Sequence, residues 1–514
     1  MRVSGDPHPD SEAFGYADLA TLERALAERQ TTSVEITESL LRRVEAIDAD
    51  GPLIRSVLAV APDAIEVARE RDEERASGSV RGPLHGIPVV VKDNIDTSGL
   101  ASTAGSLALS IPPPRDAASV AALRRAGAIV FAKSNLSEWA NFRSTRSSSG
   151  WSAIGGQTRN PHATDRSPSG SSSGSATAVA AGLAPLAVGT ETDGSILSPS
   201  AVCGIVGLKP TVGLVSRSGV VPISPSQDTP GPMARSVIDA ATLLGVLSAP
   251  DPADPAHGLR PDGIPSDYRS FCRASGLSGA RIGVIRDGAS GYHPPSDLVF
   301  EGVLSLMRDA GASLFDPVPL PTAKLLAESE DELDVLCFEF HEAVDLYLAA
   351  RADEVGGGPR SLADVIAFNS AEAESELSLF GQEILERSLA TAGHDDDKYK
   401  SARARCLEQS RLNGLDLALD HDGLDALVAL TTAPAWLIDH VNGDSFLGAG
   451  YSIAAVAGYP SITVPIGHIH GLPIGCAFLG RAWSEPVLLQ LAAGLEGAIS
   501  ASLRPGFTPL GMLA

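Results

Sequence analysis

PSGSSSGSATAVAAGLAPLAVGTETDGSILSPSAVCGIVGLKP, residues 168–210, places two unusual turns on either side of one apolar run. The first, Pro168 to Ser175, is a Ser/Gly tract leading into Ala176-Thr177-Ala178-Val179-Ala180-Ala181, whose composition starts a helix. A tight Ser/Gly turn entering a helix gathers backbone N–H groups and hydroxyls into one small space. The second follows the strand-like run Pro185-Leu186-Ala187-Val188 and reads Gly189-Thr190-Glu191-Thr192-Asp193-Gly194-Ser195. Such a turn exposes the Ser195 Oγ and aims the N–H groups of Thr192, Asp193 and Gly194 at one point. That is the geometry an oxyanion demands, and each such donor is worth about 3 kcal/mol of barrier. An ordinary turn with a solvated serine has the same spacing, so the turn alone leaves both readings open.

Outward toward the N-terminus lies Gly82-Pro83-Leu84-His85-Gly86-Ile87-Pro88-Val89-Val90-Val91-Lys92-Asp93-Asn94. A short β-branched run bounded by Gly and Pro fits a strand covered on both faces. The chain has six lysines, and one that directly follows three valines is not explained by surface filling. Burial is the chemical point: a desolvated ammonium loses its proton more easily, so Lys92 is a candidate neutral base for a serine nucleophile. Taken alone, a lysine that ends a strand and pairs with Asp93 or Asp96 is the commoner case.

Several familiar motifs fail on context. Gly170-Ser171-Ser172-Ser173-Gly174 has the form G-x-S-x-G, but the polar segment Asn160 to Arg166 precedes it where a nucleophile elbow requires a strand. No lysine follows Gly174 as a phosphate loop needs. No serine stands three residues before any lysine, so S-x-x-K is absent. A flexible Ser/Gly linker is the usual meaning of such a tract, and only its surroundings argue otherwise.

With these residues in view, the segment from Gly170 through Pro210, preceded by Gly86 to Asp93, resembles the amidase signature family of Ser-Ser-Lys hydrolases. Lys92 and Ser171 are 79 residues apart and Ser171 and Ser195 are 24 apart, separations that the family tolerates. The resemblance implies that Ser195 is the nucleophile, that Ser171 is a bridging serine preceded by a cis peptide bond, and that Lys92 is the base. The backbone N–H groups of Thr192, Asp193, Gly194 and Ser195 would form the oxyanion hole. It also implies an α/β fold, a large mixed twisted β-sheet surrounded by helices, and chemistry without a cofactor.

The chain departs from the commonest family wording at Glu191, Asp193, Ser169, Ser173 and Leu197. A carboxylate at 193 repels a developing oxyanion unless its side chain is turned away, so only its N–H is expected to serve the hole. The altered wording is similar to the peptide amidase branch, as are Asn135 to Arg143, Gly156 to Pro161, Lys209 to Arg217, Ser226-Gln227-Asp228-Thr229, Arg360 to Asn369 and Gly458 to Pro465. This likeness points to hydrolysis of the C-terminal carboxamide of peptide amides. Trp139, Asn141, Trp436 and Phe446 are candidate pocket residues, against the commoner reading of an aromatic as core. The alternatives are an aryl-acylamide, ester or carbamate hydrolase, a tRNA-dependent amidotransferase A-type subunit, and an inactive binding scaffold.

Length and composition set bounds. A chain of 514 residues exceeds the usual domain size. The resemblance argues instead for one unit over 1–514, with an N-terminal helical segment at 12–80, a signature core at 81–240, and the rest of the sheet and substrate pocket at 266–514. Pro250 to Pro265 reads as a linker or a long surface loop. A net charge of −24 disfavours nucleic acid and anionic membranes as partners. The expected partner is a small-molecule or peptide amide substrate, and the expected state is a monomer or homodimer. Met1 to Gly15 lacks an apolar core of signal length, no run approaches the ~20 apolar residues of a membrane span, and the five scattered cysteines suit reduced thiols. A cytoplasmic location follows as the expectation.

Thr32-Ser33-Val34-Glu35 is a capping-box start, with Ile36, Leu40, Leu41, Val44 and Ile47 at helical spacing. Pro62-Asp63 opens a second helix that stops near Ser77-Gly78. Ser375 to Leu389 reads as a further helix, and Arg281 to Ile285 as a strand. His468 and His470 lack a third ligand nearby, so no metal is expected.

Overall fold

In the computed structural model the described residues are 14–499 and 504–510. The Met1 to Gly15 stretch, read as lacking an apolar signal core, falls largely on residues 1–13, and the start of the 12–80 segment on 12 and 13, outside that range. The strands are β1 (Val57–Val60), β2 (Pro88–Lys92), β3 (Ile129–Ser134), β4 (Trp151–Ser152), β5 (Gly156–Gln157), β6 (Leu186–Glu191), β7 (Val206–Lys209), β8 (Thr229–Ala234), β9 (Arg281–Ile285), β10 (Ser313–Val318), β11 (Ala426–Leu430), β12 (Ser461–Ile469) and β13 (Leu472–Leu479). β4 and β5 form a small separate ribbon, and the other eleven make one mixed sheet in the order β1-β3-β2-β6-β8-β7-β12-β13-β11-β9-β10.

The apolar runs read from sequence become the middle of this sheet. β2 lies parallel to both β3 and β6, so Val89, Val90 and Val91 are flanked on each side and covered above and below. The pairing of Val91 with Val188 brings the last residue of β2, Lys92, beside Thr190. In parallel units, functional groups collect at the carboxyl ends of strands, where the chain turns away from the ladder. Lys92 ends β2 and the Ser195 turn follows β6, so both lie at such ends.

Helix Ser33–Arg43 carries the expected capping box: Thr32 Oγ1 accepts from Glu35 N at 3.1 Å, and Glu35 accepts from Thr32 N at 3.1 Å. The second helix runs Ala64–Ala76. Between them lies β1, antiparallel to β3, an edge strand that the reading of 12–80 as helical did not contain. Pro250 to Pro265 is not a free linker. Asp254 within it takes Arg217 Nε at 3.0 Å and so pins the loop to the signature half.

Residues 375–389 are not one helix but Ala373–Glu376 and Glu383–Leu389. The break is filled by Phe380, whose ring lies under the Arg143 guanidinium, 4.1 Å from the centroid, and against Trp151. His468 lies on β12, and His470 with Gly471 forms the two-residue turn to β13, both with φ above zero. That matches a primed hairpin turn. Among the described residues, no group of three or more His, Cys, Asp or Glu side chains is placed to hold a metal ion, and no helix is long and apolar enough to cross a membrane.

Candidate active site

Every serine of the Ser/Gly tract is buried. Their hydroxyls replace water with fixed partners: Ser172 donates to Thr190 O at 3.0 Å, Ser173 to Ser169 O at 2.6 Å, and Ser175 lies 2.7 Å from the Ser134 Oγ. Gly174 starts helix Ser173–Ala180 where a Cβ would come within 2.3 Å of Ser56 O and 2.5 Å of Asn135 O. The tract is therefore a packed element, and its small residues record close approach. The Gly170–Ser171 peptide bond is cis.

Lys92 is 0% exposed, and its Nζ lies 2.8 Å from Ser171 Oγ, 2.8 Å from Thr190 Oγ1 and 3.2 Å from Thr190 O. All three partners are neutral. Burial lowers the Lys92 pKa to about 7, with the carboxylates of Glu191 and Asp228 pulling it back up. A neutral amine has two N–H bonds and one lone pair. Thr190 can take both N–H bonds, which leaves the lone pair facing the Ser171 hydroxyl. Nothing in the sequence marked Thr190 for this place; the signal is its register on β6 opposite β2.

Ser195 is 7% exposed and lines a cavity of about 460 Å³, while Ser171 and Lys92 lie behind it. The Ser195 carbonyl accepts from Ser172 N at 3.1 Å, which ties the Ser195 turn to the residue after Ser171. Glu191 Oε2 accepts from Ile196 N at 2.7 Å and Leu197 N at 3.0 Å, so the carboxylate caps the helix Leu197–Cys203 that follows Ser195. The Gly194 N–H also lies toward this carboxylate, without the geometry of a full hydrogen bond. The buried Lys209 ammonium faces Glu191, Glu485 and Asp193, and burial lowers its pKa to about 8.

Thr192 is held from two sides. Its hydroxyl donates to Asp228 Oδ1 at 2.6 Å, and Gln227 Nε2 donates to its carbonyl at 3.3 Å. The Asp228 carboxylate also accepts from Ile223 N and Ser224 N. Ser226-Gln227-Asp228-Thr229, singled out in sequence only as similar wording, thus braces the turn. Burial raises the Asp228 pKa to about 6.

Asn141, Trp436 and Phe446 line the cavity. Trp139 does not reach it: the indole is 2% exposed and packs edge-on against Phe340 in a second apolar cluster. Trp139, Ala140 and Asn141 have φ of 50°, 51° and 71°, a left-handed path that L-residues adopt only when their surroundings enforce it. Trp139 N donates to Ala104 O at 2.8 Å and Phe142 N to Trp139 O at 3.0 Å, which hold that path at the cavity wall. Opposite, Trp436 Nε1 donates to Asp444 Oδ1 at 2.9 Å, and Asp444 Oδ2 accepts from Ser149 N at 3.0 Å. A second cavity of about 380 Å³, lined in part by Tyr16, His162, Arg235 and Glu496, contains none of the Ser195 turn.

Residues 35–489 match the family described as Amidase. The chain belongs to the amidase signature family. It is an amidase, and its eleven-stranded sheet wrapped by helices is the fold of that family. The solved structure of native peptide amidase from Stenotrophomonas maltophilia superposes with a TM-score of 0.91 at 49% identity, covering 96% of this chain and 99% of that one. A probable amidase of Arabidopsis thaliana is 38% identical over 96% of this chain and 91% of its own length. The A-type subunit of a glutamyl-tRNA(Gln) amidotransferase from Symbiobacterium thermophilum is 36% identical over 92% of this chain and 95% of its own length.

Proposed function

We propose that this amidase hydrolyses the C-terminal carboxamide of peptide amides, releasing ammonia, with Ser195 as nucleophile, Ser171 as proton bridge and Lys92 as base. The observation that carries the mechanism is the contact of the dry Lys92 Nζ with Ser171 Oγ at 2.8 Å. The likeness to a peptide amidase supports the substrate class.

Neutral Lys92 takes the proton of Ser171, Ser171 takes that of Ser195, and Ser195 Oγ attacks the amide carbon. The N–H groups of Thr192, Asp193, Gly194 and Ser195 receive the developing oxyanion, Gly194 sharing its proton with Glu191. The relay then runs backward and protonates the leaving nitrogen, because an amide anion is a prohibitive leaving group. The C–N bond breaks and ammonia departs. Water enters, loses its proton to the same relay, and cleaves the Ser195 ester to give a carboxylate. Residues Asn141, Trp436 and Phe446 contact the acyl portion.

Mass analysis of a peptide amide after incubation tests this. A gain of about one dalton, NH₂ replaced by OH, with ammonia release and no fragments is the expected result. Chain fragments, or release that persists in Ser195→Ala, would overturn it. A second reading is favoured by the relatives named as A-type amidotransferase subunits. That reading predicts that the purified chain releases little ammonia until partner subunits are added.

A further inference from the structure

Two residues of the Ser195 cavity wall, Asp193 and Asn141, each carry a buried side-chain acceptor oxygen. Among the described residues, Oδ1 of Asp193 and Oδ1 of Asn141 have no hydrogen-bond partner. A buried acceptor left unpaired is costly, so a substrate that brings an N–H to it gains over one that does not.

Asp193 is the better placed of the two. It stands two residues before Ser195 in the same turn, so its carboxyl accompanies whatever carbonyl that turn binds. Behind it lie the Glu332 carboxyl, from helix Asp331–Val355, and the Ser452 hydroxyl. Glu332 Oε1 in turn accepts from Gln227 Nε2 at 2.9 Å, and Gln227 also holds the Thr192 carbonyl. The other charged or titratable groups facing Asp193 are Glu191 on its own turn, Lys209 on β7 and Tyr451 beside Ser452. Two touching carboxyls cannot both ionise cheaply, and burial beside Glu332 and Glu191 pushes the Asp193 carboxyl well above its usual range. A proton held by the pair removes the full negative charge that would oppose an oxyanion and leaves one Asp193 oxygen as an acceptor.

We propose that Asp193, backed by Glu332, is a specificity-determining residue that accepts a hydrogen bond from a substrate N–H flanking the scissile carbonyl. The inference rests on the amidase reading of Ser195. The N–H comes either from the departing carboxamide or from the acyl-side residue, and the chemistry at the Asp193 carboxyl is the same for both.

The test compares three substrates: an N-acyl amino acid amide, its methyl ester, and the analogue whose acyl-side N–H is replaced by oxygen. Asp193→Ala is expected to lower kcat/KM on the amide by about ten- to a hundred-fold. On the one analogue that lacks the N–H being read, the loss should be within about two-fold. Insensitivity of the ester identifies the departing NH₂; insensitivity of the oxygen analogue identifies the acyl side. An equal fall on all three would show that Asp193 only shapes the turn, and the proposal would be lost. Labelling of Ser195 by a serine-directed phosphonate checks that the turn survives. If Asp193→Ala does not label, Asp193→Asn decides by the same pattern at a few-fold amplitude. Absence of ammonia release by the unaltered enzyme, or its persistence in Ser195→Ala, would instead remove the underlying amidase mechanism.

Discussion

Three of the six lysines, Lys92, Lys133 and Lys209, are completely buried, and their partners separate them. Lys133 lies 3.6 Å from Asp93, a direct carboxylate partner, while Lys209 donates to Pro210 O with Glu191 and Glu485 near it and its pKa falls to about 8. Lys92 touches only hydroxyls and a carbonyl, so burial acts on it with less opposition and its pKa falls to about 7. A base must be deprotonated to act. kcat/KM is therefore expected to rise about tenfold per pH unit from about pH 5 and level above about 7, measured on a carboxamide substrate. A flat profile down to about pH 4 would remove Lys92 as the base. Lys133→Met should instead leave the buried Asp93 carboxylate without its counter-charge, held only by Thr103, at about 3–5 kcal/mol of stability by denaturant titration, while the acid limb persists. Lys92, Ser171 and Ser195 were singled out in the sequence because three blocks in one order resemble a known family, each block being weak alone. Thr190 and Glu332 were not, because their roles arise only from the neighbours that β6 and the helix Asp331–Val355 acquire on folding.

The elements around these residues are held by close contact more than by propensity. Gly174 enters its helix against the carbonyls of Ser56 and Asn135 and donates its N–H to Asn135 O at 3.0 Å. Gly174→Ala should cost about 1–3 kcal/mol and lower Tm, since backbone on two sides cannot move away; an unchanged Tm would mean that the helix shifts freely. Sequence composition suggested a linker here because it counts small residues without showing what they approach. The same limit explains the supposed helix at 375–389, where spacing fitted a helix and the contacts of Phe380 broke it. The segment from Trp436 to Phe446 is held to the cavity rim by Asp444. Asp444→Ala releases the indole and the Ser149 N–H together, so KM is expected to rise about tenfold with kcat little changed. A fall in kcat at constant KM would show that this segment serves the reaction step and not the acyl portion.

At the scale of the whole molecule, one sheet joins both halves of the chain, for β7, before the 250–265 loop, pairs with β12, after it. The signature half supplies Ser195, with Ser171 and Lys92 behind it; the other half supplies Trp436, Phe446 and Tyr451 to the same cavity, with Glu332 behind Asp193. Shared architecture alone does not separate a free-standing hydrolase from an amidotransferase component, because relatives with both names match along nearly the full length. Charge bears on whether this chain itself contacts tRNA. With 63 acidic against 39 basic side chains, the chain carries a net charge of −24, and its field opposes a polyanion that would have to release counterions onto clustered basic groups to bind. The purified chain is therefore expected not to retard tRNA in a gel shift at about 0.1 M salt. Its ammonia release from a peptide amide should be unaffected by added tRNA. Retardation of tRNA by this acidic chain, or release that appears only with tRNA and further subunits, would move it to the amidotransferase branch.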